Sequence, residues 1–259
     1  MRNKKTIIFL GDGMADEPIA SLGDKTPLQV ANTPAMDSIA RDGQSGTLLT
    51  LPEGFPTSSD VANMSVLGCD LPTEFCGRGP LEAAGRGIPL SPGDIAFRLN
   101  LTTVADGILT DFSGGHISQA DAEILIQALQ DEFGSDTVRI YPGVSYRNLL
   151  IVSGDAASAA VKTEKPDDNQ GNPVAEHLPR ASDAAGQATA ELLKDLIVRA
   201  GALIEAHTIN QKAVDEGRDP ANAIWAWSGG SAGAPKTPPA KAGITTSATS
   251  AAQAINALH

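Results

Sequence analysis

Cysteine, positive charge and long apolar runs are all scarce in this chain. Its 259 residues include two cysteines, Cys69 and Cys76. That is too few for a disulfide scaffold, and two reduced thiols in a cytoplasmic protein are expected. Nineteen Lys and Arg face 31 Asp and Glu, a formal net charge of −12. Such a balance argues against nucleic acid or an anionic membrane surface as a partner. It leaves room for a small anionic ligand, because a local cluster of Arg or metal ions can reverse the field inside a cleft. No apolar run approaches the roughly 20 residues that a membrane-spanning helix needs. No leader pattern is present either, since Ile7 to Leu10 runs straight into Gly11-Asp12. What remains is a globular composition, 41% hydrophobic, in a chain long enough for a sizeable core and one or two domains.

The first 76 residues read as strand, helix, strand, helix. Residues 5–10 are an apolar strand ending at Gly11. Thr33-Pro34 opens a helix that Gly43 closes, and Thr47 to Leu51 is a second strand. Ser58 or Ser59 caps a short helix, Asp60 to Leu67, stopped by Gly68. This order predicts an α/β fold, a parallel sheet with covering helices. The pattern then changes. Residues 77–87 read as a glycine-rich turn region, and Ile95 to Val104 as a strand. Asp106-Gly107 marks a hairpin to Ile108–Phe112. Ser118 to Phe133 reads as an amphipathic helix, followed by strands at Val138–Tyr141 and Tyr146–Val152. Residues 162–180 are loop-like. A long helix is expected from Ser182 to Ala206, a strand at Asn222–Trp227, a mobile loop from Ser228 to Gly243 and a helix from Ser247 to Leu258.

Several residues carry candidate chemistry. Asp12 sits between two glycines directly after a strand, where ligands bind in open α/β sheets; a turn aspartate is the plainer reading. Ser59, at a helix N-terminus, would lie among free backbone N–H groups suited to a transferring phosphoryl group; a plain N-cap is the alternative. Asp60 could ligate a metal or complement the helix dipole. His116, in a glycine-flanked turn, could meet a phosphate or donate a proton. Arg78, Arg86, Arg98 and Arg147 stand out in an acidic chain, and the bidentate guanidinium suits carboxylate and phosphate.

The ordered motifs Gly11-Asp12-Gly13-Met14, Ser59-Asp60-Val61-Ala62-Asn63-Met64, Gly77-Arg78-Gly79-Pro80-Leu81-Glu82, Ser113-Gly114-Gly115-His116, Gly143-Val144-Ser145-Tyr146-Arg147 and the Trp225-Ala226-Trp227 strand extend over nearly the whole chain. By them it resembles the archaeal-type cofactor-independent (2,3-bisphosphoglycerate-independent) phosphoglycerate mutases of the alkaline phosphatase superfamily. The resemblance implies an alkaline-phosphatase-like α/β sheet domain interrupted by a smaller α+β substrate-binding domain. The expected divisions are 1–76, an insert at 77–180, and a return at 181–259. It also implies a phosphoserine intermediate and two divalent ions, manganese, zinc or magnesium, with no requirement for 2,3-bisphosphoglycerate. By position Ser59 matches the nucleophile and a metal ligand, Asp12 a metal ligand, and His116 the phosphate-contacting histidine. Arg147, Arg78 and Arg98 match the substrate-binding set. The expected activity is interconversion of 3-phosphoglycerate and 2-phosphoglycerate in a cytoplasmic enzyme of glycolysis and gluconeogenesis. Two alternatives remain: a related phosphotransferase acting on a small hydroxy compound such as homoserine, or a non-catalytic fragment. Family members continue further and supply their remaining Asp and His ligands there, so the chain is expected to be the N-terminal portion of a longer enzyme and inactive alone.

Overall fold

The computed structural model describes residues 7–155 and 157–232. Residues up to Leu48 form one compact unit and those from Leu49 onward another. The first unit is short on regular structure. A bridge between Ile19 and Lys25 closes a turn. Helix α1 (Pro27–Val30) starts at a Thr26/Gln29 capping box, and α2 (Pro34–Asp42) has its proline at the first position and ends at Gly43. Residues 7–10 and 47–50 lie outside any strand, contrary to expectation. A strand gains its hydrogen bonds only from a neighbour, and these segments pair with none among the described residues. Their apolar side chains stay exposed, Phe9 by 89% and Leu49 by 75%.

The second unit is built on an antiparallel sheet of five strands, β1 (Ile95–Ala105), β2 (Ile108–Asp111), β3 (Val138–Val144), β4 (Arg147–Val152) and β7 (Ala223–Ser231). These strands lie where hairpins were expected and the described sheet pairings are all antiparallel; the parallel sheet expected of residues 1–76 has no strand among the described residues. The order is β2-β1-β4-β3, with β7 also on β1. Both β4 and β7 pair with residues 95–100 of β1, so they occupy its two edges. Asp106 and Gly107, both at positive φ, make the tight β1–β2 turn.

Alternation along β1 sorts the two faces. Ile95, Phe97, Leu99 and Leu101 enter the main core with Leu125, Ile126 and Leu129 of α6 (Gln119–Phe133) and Leu193, Leu196 and Ile204 of α7 (Gln187–Glu205). Ser118 caps α6, its hydroxyl accepting from Asp121 N. Helix α7 begins five residues later than expected, after a 3-10 turn at Ala184–Gly186. Helix α8 (Thr208–Asp215), not anticipated, is capped by His207 Nδ1. Helix α7 and strand β7, placed by expectation in the returning segment, belong to the same core as β1.

The other face of β1 presents Ala96, Arg98, Asn100 and Thr102, all buried. Helix α5 (Arg78–Gly85) lies across its Ala96 end. Residues 77–87 are thus mainly helix rather than turn. Gly79 lets α5 approach: a Cβ there would sit 2.1 Å from Ala96 O. Helices α3 (Ser59–Val66) and α4 (Leu71–Glu74) join α5 through Val61, Met64, Leu71 and Leu81, with the thiols of Cys69 and Cys76 packed alongside. Residues 161–181 hold only a short ribbon of β5 (Val161–Lys162) and β6 (Arg180–Ala181) and 3-10 turns. Strand β7 continues through Ser228–Ser231, where a loop was expected, because it stays paired with β1. The rest of that loop, the 247–258 helix and His259 lie outside the described residues.

Candidate functional site

The polar face of the sheet gathers the arginines. The β1–β7 register sets Arg98 opposite Trp227, and the β1–β4 register sets Asn100 opposite Arg147. Arg98 is 2% exposed and Glu82 7%. The Arg98 Nη1 donates to Glu82 Oε1, and Arg78 Nε donates to the same oxygen at 3.2 Å. Both guanidiniums lie over the Trp227 ring, Arg98 at 5.4 Å and Arg78 at 5.9 Å from its centroid. Burial lowers the Arg98 pKa to about 10, Glu82 opposes the fall, and the nearby charges of Arg78 and Arg147 add to it. Three cations far apart in sequence are therefore within electrostatic reach of one another.

Local folding explains the placement. The positive φ of Gly77 starts α5, and Arg78 N donates to Ser228 Oγ at 3.0 Å, fastening the helix start just beyond Trp227. Four residues on, Glu82 falls on the same helix face as Arg78. Arg147 is exposed at the start of β4, its guanidinium 4.5 Å from the centre of the Tyr146 ring. Burial raises the Tyr146 hydroxyl pKa while Arg147 pulls it down. Arg86 donates to Pro142 O, and its charge feels the Glu82 carboxylate, which opposes the lowering of its pKa by burial.

His116 lies in the loop after β2, exposed and at φ 52°. Asp111 organises that loop by accepting from Ser113 N, Ser113 Oγ and Gly115 N. Ser113 Oγ sits 3.3 Å from His116 Nδ1. The loop connects to the arginines in two ways. Phe112 stacks edge-on against Tyr146 at 5.9 Å, and Asn100 Nδ2 donates to Phe112 O at 3.3 Å while its Oδ1 accepts from Trp227 Nε1 at 3.1 Å.

Ser59 is the exposed first residue of α3. Ser58 precedes it in an extended conformation and makes no side-chain cap, so its hydroxyl does not satisfy the first-turn N–H groups. Among the described residues the buried Ser58 hydroxyl and Asp60 Oδ1 have no hydrogen-bond partner, and Asp60 is 5% exposed. Helix α3 shares its apolar cluster with Leu81 of α5, which ties the serine's helix to the helix that carries Arg78 and Glu82. Asp12 is an exposed turn residue of the first unit. Asp12 and Ser59 are oxygen donors of a kind that hard divalent cations accept, but two donors do not make a site. Among the described residues no three His, Cys, Asp or Glu converge on one point.

The residues that sequence reading missed are Glu82, Asn100 and Trp227. Only Glu82 left a trace, its four-residue spacing from Arg78. His177 contacts Glu164 through Nδ1 at 2.6 Å, and Glu164 also accepts from Arg180 at 2.8 Å. The Glu164 backbone carbonyl accepts from Trp225 Nε1 at 2.8 Å, so residues 161–181 strap the Trp225 side of β7.

The family model for 2,3-bisphosphoglycerate-independent phosphoglycerate mutase matches residues 40–210. The enzyme of that name from Methanosarcina mazei is 47% identical over 226 residues, 87% of this chain and 55% of the relative. Its counterpart from Methanothrix thermoacetophila is 46% identical over 228 residues, 88% of this chain and 55% of the relative. The solved cofactor-independent phosphoglycerate mutase from Thermoplasma acidophilum superposes with a TM-score of 0.55 at 32% identity, over 85% of this chain and 58% of that one. The chain spans about half the length of the curated relatives it matches. Among the described residues no helix is long and apolar enough to cross a membrane. The matched stretch holds Ser59, the three clustered arginines and His116, and the chain belongs to the 2,3-bisphosphoglycerate-independent phosphoglycerate mutase family.

Proposed function

We propose that this chain supplies the nucleophile and the oxyanion-binding arginines of a cytoplasmic enzyme that interconverts 3-phosphoglycerate and 2-phosphoglycerate. The observation that carries this reading is the shared cluster of α3 and α5, which ties the helix opened by Ser59 to the helix that bears Arg78. In the proposed reaction Ser59 Oγ bonds to phosphorus as the bond to the glycerate oxygen breaks, and the serine proton passes to that oxygen. Glycerate stays bound and reorients. Its other hydroxyl then takes the phosphoryl group back, giving up its proton and restoring the serine. Arg78 and Arg147 would hold the carboxylate and phosphate through this exchange, His116 would meet the phosphate, and Arg98 would complete the positive field. Water must be excluded meanwhile, or the phosphoserine hydrolyses.

The divalent ions that the family resemblance implies would stabilise charge on the transferring phosphoryl oxygens. Of their ligands this chain offers Asp12 and Ser59. The two donors do not fit a complete site, and we propose that further ligands come from sequence equivalent to the relatives' unmatched half. The alkaline-phosphatase-like sheet domain would be completed there too, burying apolar residues such as Phe9 and Leu49. In this reading residues 1–76 open the sheet domain and the insert starts at 77; the pairing of β7 with β1 supports an insert that runs beyond the expected residue 180.

A second reading, a fragment without activity of its own, is favoured for the isolated 259 residues by the lack of three converging ligands among those described. Calorimetry with Mn2+ decides between them. Weak or absent binding by this chain supports the fragment reading, and tight stoichiometric binding contradicts it. For the enzyme reading, Ser59→Ala in a polypeptide of the relatives' full length removes mutase turnover; near-parental turnover would sink the assignment.

A further inference from the structure

Arg78 is the member of the arginine cluster whose guanidinium is both partly open and rigidly supported. Its Nε is committed to Glu82, and its side chain is 21% exposed. Among the described residues its two Nη groups make no hydrogen bond. Arg98, 2% exposed, cannot meet a ligand in this arrangement without opening the sheet face. What Arg98 does is hold Glu82 at the same oxygen that Arg78 uses, while the Trp227 ring backs both guanidiniums. The ring is itself fixed, because its Nε1 donates to Asn100 Oδ1.

We infer that Glu82 and Trp227 are positioning residues that hold Arg78 so that its free Nη edge meets a carboxylate or phosphate. The inference rests on the reading of this face as the substrate's oxyanion site. It moves Arg98 from the contact surface to the support. A long arginine side chain loses considerable rotamer freedom when it is ordered. Holding it at Nε and over the indole face removes that loss from the binding step. An acid inside an anion site is otherwise an anomaly, since its charge repels the ligand. Here Glu82 is expected to help through orientation more than it harms through charge.

That opposition of signs provides the test. Binding of 3-phosphoglycerate is measured by titration calorimetry in a polypeptide of the relatives' full length that carries these residues with Ser59→Ala, with near-UV circular dichroism to establish that each variant is folded. Arg78→Met abolishes the heat. Glu82→Gln, which removes a negative charge, binds about tenfold more weakly because Arg78 is released; unchanged or tighter binding overturns the inference. Should Glu82→Gln fail to fold, Trp227→Phe decides, since a phenyl ring keeps the packing and part of the cation–π contact. It binds about threefold more weakly, and Arg78→Lys then costs a smaller factor than it does beside Trp227. An equal factor in both backgrounds means the ring does not act through Arg78 and overturns the inference. Binding lost in Arg78→Met but unaltered by either support variant overturns the positioning role alone. A parent chain that does not bind 3-phosphoglycerate overturns the oxyanion-site reading, and the positioning role with it.

Discussion

The guanidinium of Arg98 lies 5.4 Å from the centre of the Trp227 ring, on the strand that the register sets directly opposite. A fully buried cation at the middle of a sheet is costly unless it is paired, and Glu82 provides the pair. The first prediction concerns that pair. Burial holds the Arg98 pKa at about 10, below its usual value. A cation with a depressed pKa weighs against folding while it is protonated. The penalty is therefore present below pH 10 and is relieved as pH rises above it. Removing Glu82 deepens it: Glu82→Met destabilises the chain by about 3–5 kcal/mol. Glu82→Met with Arg98→Met loses much less than the sum of the single losses. Denaturant unfolding of the four proteins gives the cycle. Additive losses would show that the two charges do not depend on each other.

Close approach of α5 makes a second prediction. An alanine Cβ at position 79 would lie 2.1 Å from Ala96 O and 2.9 Å from Phe97 N, backbone atoms held in the β1 ladder. Gly79→Ala lowers stability by about 1–3 kcal/mol. At this chain length that is a drop in Tm of about 2–4 °C per kcal/mol, read by thermal denaturation. An unshifted Tm would mean that α5 does not press on β1 as described.

The strap over Trp225 makes the third. The hydrogen bond from His177 holds the Glu164 carboxyl below its usual 4.5, burial opposes this, and the charges of His177 and Arg180 assist. A depressed carboxyl contributes stability above the unfolded value and loses it as pH falls through the folded one. The strap therefore loosens below pH 4.5. The chain has two tryptophans, so in a Trp227→Phe background emission reports Trp225 alone. Acidification changes that emission in the parent background, and Glu164→Gln removes the pH dependence. A pH profile that survives in Glu164→Gln contradicts the assignment.

Short-range signals read correctly from sequence alone. The Asp106-Gly107 turn, the helix start at Ser118 and the proline that opens α2 each depend on a few neighbouring residues. Residues 77–87 misled because glycine there signals packing rather than a turn: Gly79 is where a helix meets a strand. The strands expected near 7–10 and 47–50 are not formed among the described residues, because segments with the composition of strands have no described partner there to pair with. In the site, Arg78, Arg98 and Arg147 stood out as rare cations in an acidic chain. Trp227 and Asn100 did not, since their part depends on which residues β1 and β7 set opposite each other, a property of register that neither strand encodes alone. His177 was unreadable for the same reason, its partner Glu164 lying 13 residues away across a short ribbon.

The central claim is that Ser59 takes the phosphoryl group from phosphoglycerate and returns it. The most direct measurement is acid quenching of a polypeptide of the relatives' full length carrying these residues during turnover of 3-phosphoglycerate, followed by peptide mass spectrometry. The account predicts one added phosphate on the peptide containing Ser59, and neither phosphate nor turnover in Ser59→Ala. Turnover with the phosphate on another residue, or with Ser59 replaced, would contradict it.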